Sequence, residues 1–365
     1  MEKDLAYKIA LNKIPKVGAV IAKNLIQYFG SPEAVFEARK KELQSLPRIT
    51  ESIANLIVSK KPIEEAEKEI EFIEQNKINC LYFEDEAYPS RLKHYPDSPL
   101  LLYYKGNTNL NHKRIVAVVG TRKPSERGKL NCERLVEELK NYNVMLISGL
   151  AYGIDVTAHK KCLDLGIDTV GVLGHGLHRI YPAQHKAIAE KMIEQGGLLS
   201  EYTSDKGPEA KHFPMRNRII AGMCDALVVV ETTRKGGSII SVEFAVQYNK
   251  DVFAFPGRLN DKNSQGCNHL IKIQKAALIE SAKDIGYIMR WEQQQSPSDL
   301  QKKLFIDLNP TEKNIIDILN KSEEVSIDKL TYESKLSPSQ IAALLLNLEF
   351  KGIVKPLPGH RYMLV

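Results

Sequence analysis

Residues 115–128, IVAVVGTRKPSERG, run from an apolar stretch into Gly120 and then place Thr121, Arg122, Lys123 and Arg127 in one loop. A glycine lets backbone N–H groups approach an anion closely. The helix that follows adds the positive end of its dipole, and guanidinium groups grip phosphate through paired hydrogen bonds. Phosphate capture is the chemistry these residues suit. Five further segments have the same make-up. SGLAYGIDVTAH (148–159) contains Ser148, Gly149 and Gly153 ahead of a helix start at Asp155. VLGHGLHRIYP (172–182) holds Gly174 and Gly176 with His175, His178 and Arg179. KHFPMRNRII (211–220) sets Lys211, Phe213, Arg216, Asn217 and Arg218 before or within a short helix. ETTRKGGSIISVEFA (231–245) has Arg234 and Lys235 ahead of Gly236, Gly237 and Ser238. FPGRLNDKNSQGCNHLI (255–271) adds Gly257, Arg258, Gly266 and Asn268. Glycine turns, helix N-termini and cations in this number make an anion-binding surface larger than one phosphate needs.

Catalytic equipment does not accompany these groups. The first turn lacks GxGxxG, no acid closes the next strand for a ribose, and GxxxxGK[ST] is absent, which disfavours a dinucleotide cofactor and a P-loop ATPase. No loop offers a G-x-S-x-G nucleophile. His175 and His178 have no partner ligands at metal spacing. Asp155 and His159 read either as an acid/base pair or as a capping Asp beside a core histidine. Glu243, five residues past the GGS turn and inside the helix it opens, reads as a helix-surface acid or as the acid of a nucleotide-cleaving site. Of Arg216 and Arg218, which point to different sides of a helix, one meets phosphate and the other makes an internal ion pair. Binding without catalysis, cofactor or metal is the expectation.

These loops must be positioned by alternating strands and helices. Apolar, β-branched runs predict strands at 115–119, 144–148, 168–173, 197–201, 225–231 and 251–255, with helices such as 129–140 and 238–249 between them. Continuous rather than alternating apolar runs indicate a sheet covered on both faces. Strand–helix alternation implies parallel strands with right-handed crossovers, hence an α/β fold with an extended Rossmann-like, doubly wound, mainly parallel sheet. The loops then converge at the carboxyl edge, where open α/β sheets bind ligands.

Different material flanks this region. IPKVGAVIAKNLI (14–26) and LPRITESIANLIV (46–58) align without gaps and predict a helix-hairpin-helix pair, within a helical domain over 1–75. Lys16 and Arg48 stand where the leading turn glycines would be, leaving phosphate binding and packing as two readings. A Pro- and Tyr-rich connector with short strand-like pieces (78–107) leads into the extended Rossmann-like α/β domain over 76–291. Residues 292–307 read as a polar linker. Residues 308–365 predict three helices and a hairpin around Pro358-Gly359, the order of a winged helix, with an N-cap at Asn309 or Thr311 and Gly352 as a helix stop. Its third helix has one basic residue, Lys351, so DNA contact and protein docking both remain readings.

At 365 residues the chain predicts two to three domains. A net charge of +6 permits nucleic acid or phosphorylated ligands without demanding them. No apolar run approaches the roughly 18 residues of a membrane span, and acids among the first residues argue against a secretory signal. Five scattered cysteines without a CxxC pair suit a reducing cytoplasm.

In order and spacing over roughly 80–290, the segments GTRKPSERG, SGLAYGIDVTAH, VLGHGLHRIYP, FPMRNRIIA, GGSIISVEFA, VFAFPG and GCNHLI resemble the DNA-processing family DprA, also called Smf. The flanking helical and winged-helix regions are similar to that family's flanks. The resemblance implies a cytoplasmic, non-enzymatic homodimer of natural transformation. Such a protein binds incoming single-stranded DNA, protects it and loads the RecA recombinase onto it. It makes Arg122 a phosphate ligand with Gly120 and Thr121 beside it, gives Lys211 a phosphate and lets Phe213 stack a base, although Phe213 also reads as core. Arg216, Asn217 and Arg218 match the family's RNR. His178 departs from it, standing where an acid is common. The alternative is a nucleoside-monophosphate phosphoribohydrolase, which places a glycine turn and a glutamate near Gly236, Gly237 and Glu243. Its PGGxGTxxE pattern is not matched by TRKGGSIISVE.

Overall fold

The computed structural model describes residues 2–292, 309–320, 324–350, 353–357 and 359–364. Residues 293–307 of the expected linker (292–307) lie outside the described residues, as do Lys351, Gly352 and Pro358. The chain forms two compact units, 1–294 and 295–365.

The larger unit begins with six helices: α1 (Glu2–Lys13), α2 (Ala19–Phe29), α3 (Pro32–Glu37), α4 (Lys40–Gln44), α5 (Glu51–Val58) and α6 (Lys61–Gln75). The repeat seen in the sequence is a repeat of backbone. Val17 N donates to Ile14 O at 3.1 Å and Ile49 N to Leu46 O at 3.3 Å, closing the same turn before α2 and α5. Lys16 (φ 68°) and Arg48 (φ 67°) both take the left-handed conformation that the missing glycines would have supplied. This conformation costs a side-chain-bearing residue about 1 kcal/mol, and the buried Ile14, Leu25, Ile53 and Ile57 around the two turns supply the packing that holds it.

The rest of this unit is built on a nine-stranded sheet, in the order β1-β2-β6-β5-β4-β3-β7-β8-β9. Its strands are β1 (Asn79–Tyr82), β2 (Leu101–Gly106), β3 (Ile115–Val119), β4 (Met145–Ser148), β5 (Thr169–Leu173), β6 (Gly196–Ser200), β7 (Ala226–Val229), β8 (Asp251–Ala254) and β9 (Ala277–Leu278), with the short α7 (Ser90–Lys93) between β1 and β2 and α10 (Lys186–Glu194) between β5 and β6. From β6 to β9 neighbours are parallel, as the buried apolar runs required; β1 and β2, from the Tyr-rich connector, add antiparallel strands beyond β6. Alternate residues of each strand serve two cores. Ala117, Val119, Ile147 and Val229 face α11 (His212–Met223), α12 (Ser238–Gln247) and α13 (Gln265–Lys272). Val116, Val118, Leu146 and Val228 face α8 (Glu126–Leu139), α9 (Ile154–Leu165) and α14 (Ala282–Met289). The helical region shares the core of β1 and β2 through Tyr82, Leu101 and Tyr103. It is also pinned by Glu69, a buried carboxylate that accepts from Ser204 N at 2.8 Å and Ser204 Oγ at 2.6 Å.

The smaller unit contains α15 (Pro310–Leu319), β10 (Val325–Ser326), α16 (Ile327–Ser334), α17 (Pro338–Phe350), β11 (Val354–Leu357) and β12 (Arg361–Leu364). Asn309 is the N-cap, in a reciprocal pair with Glu312. The two-strand hairpin, joined by β10, completes the winged helix.

On α9, His159 is enclosed beneath the sheet. Thr169 Oγ1 donates to Leu146 O at 3.3 Å, so His159 Nδ1 is the donor to Thr169 Oγ1 at 2.7 Å. Burial first, then the charges of His185 and Arg216, pull its pKa down to about 3. The folded value lies below the unfolded value of about 6.5, so the unfolded chain takes up a proton that the native ring refuses. This contribution to stability is complete above about pH 6.5 and drains as pH falls toward 3. Well below pH 6.5 the slope approaches about 1.4 kcal/mol per pH unit. Urea unfolding from pH 7 to 4.5 should therefore show a steeper acid loss for the native chain than for His159→Gln, and equal slopes would disprove this role.

Candidate nucleic-acid interface

Strand order reverses between β3 and β7: from β3 the chain winds outward through β4, β5 and β6, while β7 lies on its other side and leads to β8 and β9. A crevice at the carboxyl ends of such a pair is dictated by topology, because the two outgoing loops turn to opposite faces of the sheet. A cavity of about 810 Å³ opens there. Gly120, Thr121, Arg122, Phe213, Arg216, Asn217, Gly236, Gly237 and Ser238, all singled out from the sequence, line it.

The loop after β3 is held by its backbone while its cations stay free. Thr121 N donates to Glu231 O at 2.7 Å and Ile154 N to Thr121 O at 3.2 Å. The buried Glu231 carboxylate accepts from Ser125 N at 2.9 Å and Ser125 Oγ at 2.5 Å, and Ser125 Oγ in turn caps α8 through Gly128 N. Asn263 Nδ2 donates to Lys123 O at 3.0 Å. Arg122 and Lys123 are exposed and have no ion-pair partner among the described residues. Across the cavity the turn after β7 is braced by Ser238 Oγ donating to Thr232 Oγ1 at 2.7 Å, with Gly237 preceding α12 in open space.

The two arginines of α11 have separate tasks. Arg218 pairs with Glu201 at 2.5 Å beneath the surface; burial lowers its pKa, and the Glu201 carboxylate more than offsets this. Arg216 forms the cavity floor. It donates to Gly149 O at 2.9 Å and to Val172 O, joining the ends of β4 and β5. Burial, opposed by Asp155, brings its pKa to about 10, which still leaves it cationic at neutral pH. Burial raises the Asp155 pKa against the pull of Arg216 and of the N–H groups of Ala151 and Gly149. Asp155 thus braces a loop and a buried cation, and His159 turns to Thr169, so the two are not an acid/base pair.

Phe213 is half-buried, its ring over Gly174 and 5.7 Å from that of Tyr181, which is 49% exposed. Lys211 is exposed, paired with Glu209 at 2.8 Å, and outside the cavity lining. Ser148 is enclosed and donates to Val118 O. A side chain at Gly149 would meet Arg216, one at Gly174 the Phe213 ring, and one at Gly176 the Thr203 carbonyl 2.2 Å away. Asn268 makes a two-way amide pair with Gly257. Ser148, Gly149, Gly174, Gly176, Arg218 and Asn268 do not line the cavity. Glu243 is exposed on α12 and also does not line the cavity. Tyr181, Pro208, Thr233, Lys262 and Asn263 line it without having been singled out; the YP and DKN of their loops were the available signals. Among the described residues no group of three or more His, Cys, Asp or Glu could hold a metal ion, and no helix is long and apolar enough to cross a membrane.

A family profile described as DNA recombination-mediator protein A matches residues 79–290, a DprA winged-helix profile matches 300–360, and a SAM-like helix-hairpin-helix tandem matches 8–60. A protein named Smf from Synechocystis is 30% identical over 98% of this chain and 98% of its own length. The solved DNA processing protein A of Streptococcus pneumoniae superposes with TM-score 0.63 at 32% identity, covering 78% of this chain and 96% of the other. DNA processing protein A of Helicobacter pylori, solved for its single-stranded DNA binding mode, gives TM-score 0.54 at 28% identity over 59% and 98%.

Gly153 sets the height of the cavity rim. It takes φ 82°, and a Cβ there would lie 2.2 Å from Thr121 O. Gly153→Ala should lower stability by about 1–3 kcal/mol through backbone strain and shift the Arg122 loop. Denaturant unfolding checks the loss, and a melt indistinguishable from the native chain would contradict this geometry.

Proposed function

The chain belongs to the DNA recombination-mediator protein A family (DprA, Smf), and from that membership we propose that it binds single-stranded DNA in the β3–β7 cavity, without catalysis, and delivers it to the RecA recombinase. The observation that carries the reading is one juxtaposition. Two cations without an ion-pair partner among the described residues, Arg122 and Lys123, stand on a clamped loop, and the rings of Phe213 and Tyr181 lie in the same cavity. A single strand offers both phosphates and unpaired base faces, and cations with aromatic platforms meet both without reading sequence. A buried Arg216 adds a fixed positive potential beneath them. The single-stranded DNA named for the Helicobacter pylori relative supports this choice of ligand. RecA as recipient and a homodimer as the working form follow from the family resemblance.

Arg122→Ala should weaken oligo-dT binding at least about tenfold, as expected for a lost charge-assisted phosphate contact, with an unchanged melting curve. Phe213→Ala should weaken it by the equivalent of about 1–3 kcal/mol per stacked base. Anisotropy titrations at fixed salt test both, and retained affinity in Arg122→Ala would sink the assignment. Incubation with AMP should release no adenine.

A further inference from the structure

A second cavity, of about 790 Å³, lies between α8 and α9. Arg122 and Lys123 line both cavities, so their loop is a ridge shared by the two rather than the end of one. Past the ridge the walls carry Lys129 from α8 and Lys160 and Lys161 from α9, with Tyr152, 43% exposed, at the side. Tyr152 is held in place, its hydroxyl donating to Gln184 Oε1 at 2.8 Å and its ring set edge-on against His185. The opposing charges are Glu133 and Asp164. Lys160 is exposed and has no ion-pair partner among the described residues. Lys129 reaches Glu126 at 2.6 Å and Lys161 reaches Glu137 at 3.7 Å, partly exposed pairs whose acidic partners face solvent and which contribute little and yield to another anion.

The cations come from both walls of the groove. Val156, Lys160 and Asp164 recur every fourth residue, as do Thr157 and Lys161, so two adjacent rows of α9 form one wall and carry the consecutive Lys160 and Lys161, while Lys129 stands on α8 and Arg122 and Lys123 at the ridge. Among the described residues the groove lining contains no buried arginine like the one beneath the first cavity. Flexible lysines spread over the ridge and both helices suit a succession of phosphates, whereas a single compact anion is better met by a converging cradle.

We propose that a single strand leaving the first cavity crosses the Arg122–Lys123 ridge and continues through the α8–α9 groove. There Lys160, Lys161 and Lys129 hold successive phosphates, and Tyr152 offers a face to a base. This rests on the reading of the first cavity as a single-strand site, and it makes the DNA footprint longer than that cavity. The test uses the full chain and oligo-dT of about 6 and about 20 nucleotides, the short one filling a single site. In the native protein the longer oligomer should bind more tightly. Lys160→Gln with Lys161→Gln should lose about tenfold on the long oligomer, with a shallower salt slope, and change little on the short one. Lys113→Gln with Lys140→Gln, exposed at the opposite edge of the sheet, should match the native protein on both. An unaffected long oligomer, equal loss on both lengths, or the same loss from the opposite-edge variant overturns the track while leaving the first cavity standing. Failure of the native protein to bind either length overturns both.

Discussion

The interface depends on one buried carboxylate. Glu231 ends the β7 segment, yet its oxygens are spent on Ser125 of the loop after β3, and its own carbonyl receives Thr121 N. A carboxylate removed from water must be met by donors or it destabilises the fold. The two loops at the strand reversal are therefore tied to each other across the crevice they border. Gly128 belongs to the same arrangement, because a Cβ there would lie 2.4 Å from the carboxylate carbon. The rigid part of the site is thus its backbone, and the charges that face outward are left mobile.

The floor is arranged in the opposite way. Arg216 is enclosed and its guanidinium is committed to two carbonyls, so it cannot swing out to follow a ligand. Asp155 keeps the cation from standing alone in a desolvated place and takes two backbone donors itself. Breaking such an arrangement by removing one charge leaves the other uncompensated. Arg216 is therefore a poor choice for a binding test: its loss would leave the Gly149 and Val172 carbonyls and the buried Asp155 without their partner, and so disturb the fold before it informed on DNA. Arg122, on a fixed loop with a free side chain, separates the two effects.

Much of this was legible in the sequence. The strands 115–119 and 251–255 differ from β3 and β8 by at most one residue at an end, because buried parallel strands leave uninterrupted apolar runs. Gly120, Arg122 and the GGS turn were legible because glycine followed by cations at a strand end has a local meaning. The roles of other residues depend on distant parts of the chain. Gly174 and Gly176 have the same local signature as Gly236, yet they exist to admit Phe213 and the Thr203 backbone. Nothing within the RNR triplet says which arginine will meet Glu201 and which will lie over Gly149 and Val172. Tyr181 becomes an aromatic wall only through Phe213, which lies on a different element. Strand β9 is two exposed residues long and leaves no periodicity to read.

A face of this kind suits a protein that must hold a strand and then surrender it. Contacts from exposed Arg and Lys are individually weak, screened by salt, and exchangeable with water and ions. On the proposed reading, stacking on Phe213 or Tyr181 would add affinity without selecting a base. Strong binding then comes from the number of contacts along the strand, and a competitor can displace the chain one contact at a time instead of facing a single barrier. Clamping the backbone keeps this from becoming loose binding, because each weak contact is presented without the entropy of ordering its loop. Glu231, by tying the loops after β3 and β7 together, is what would make such graded binding possible.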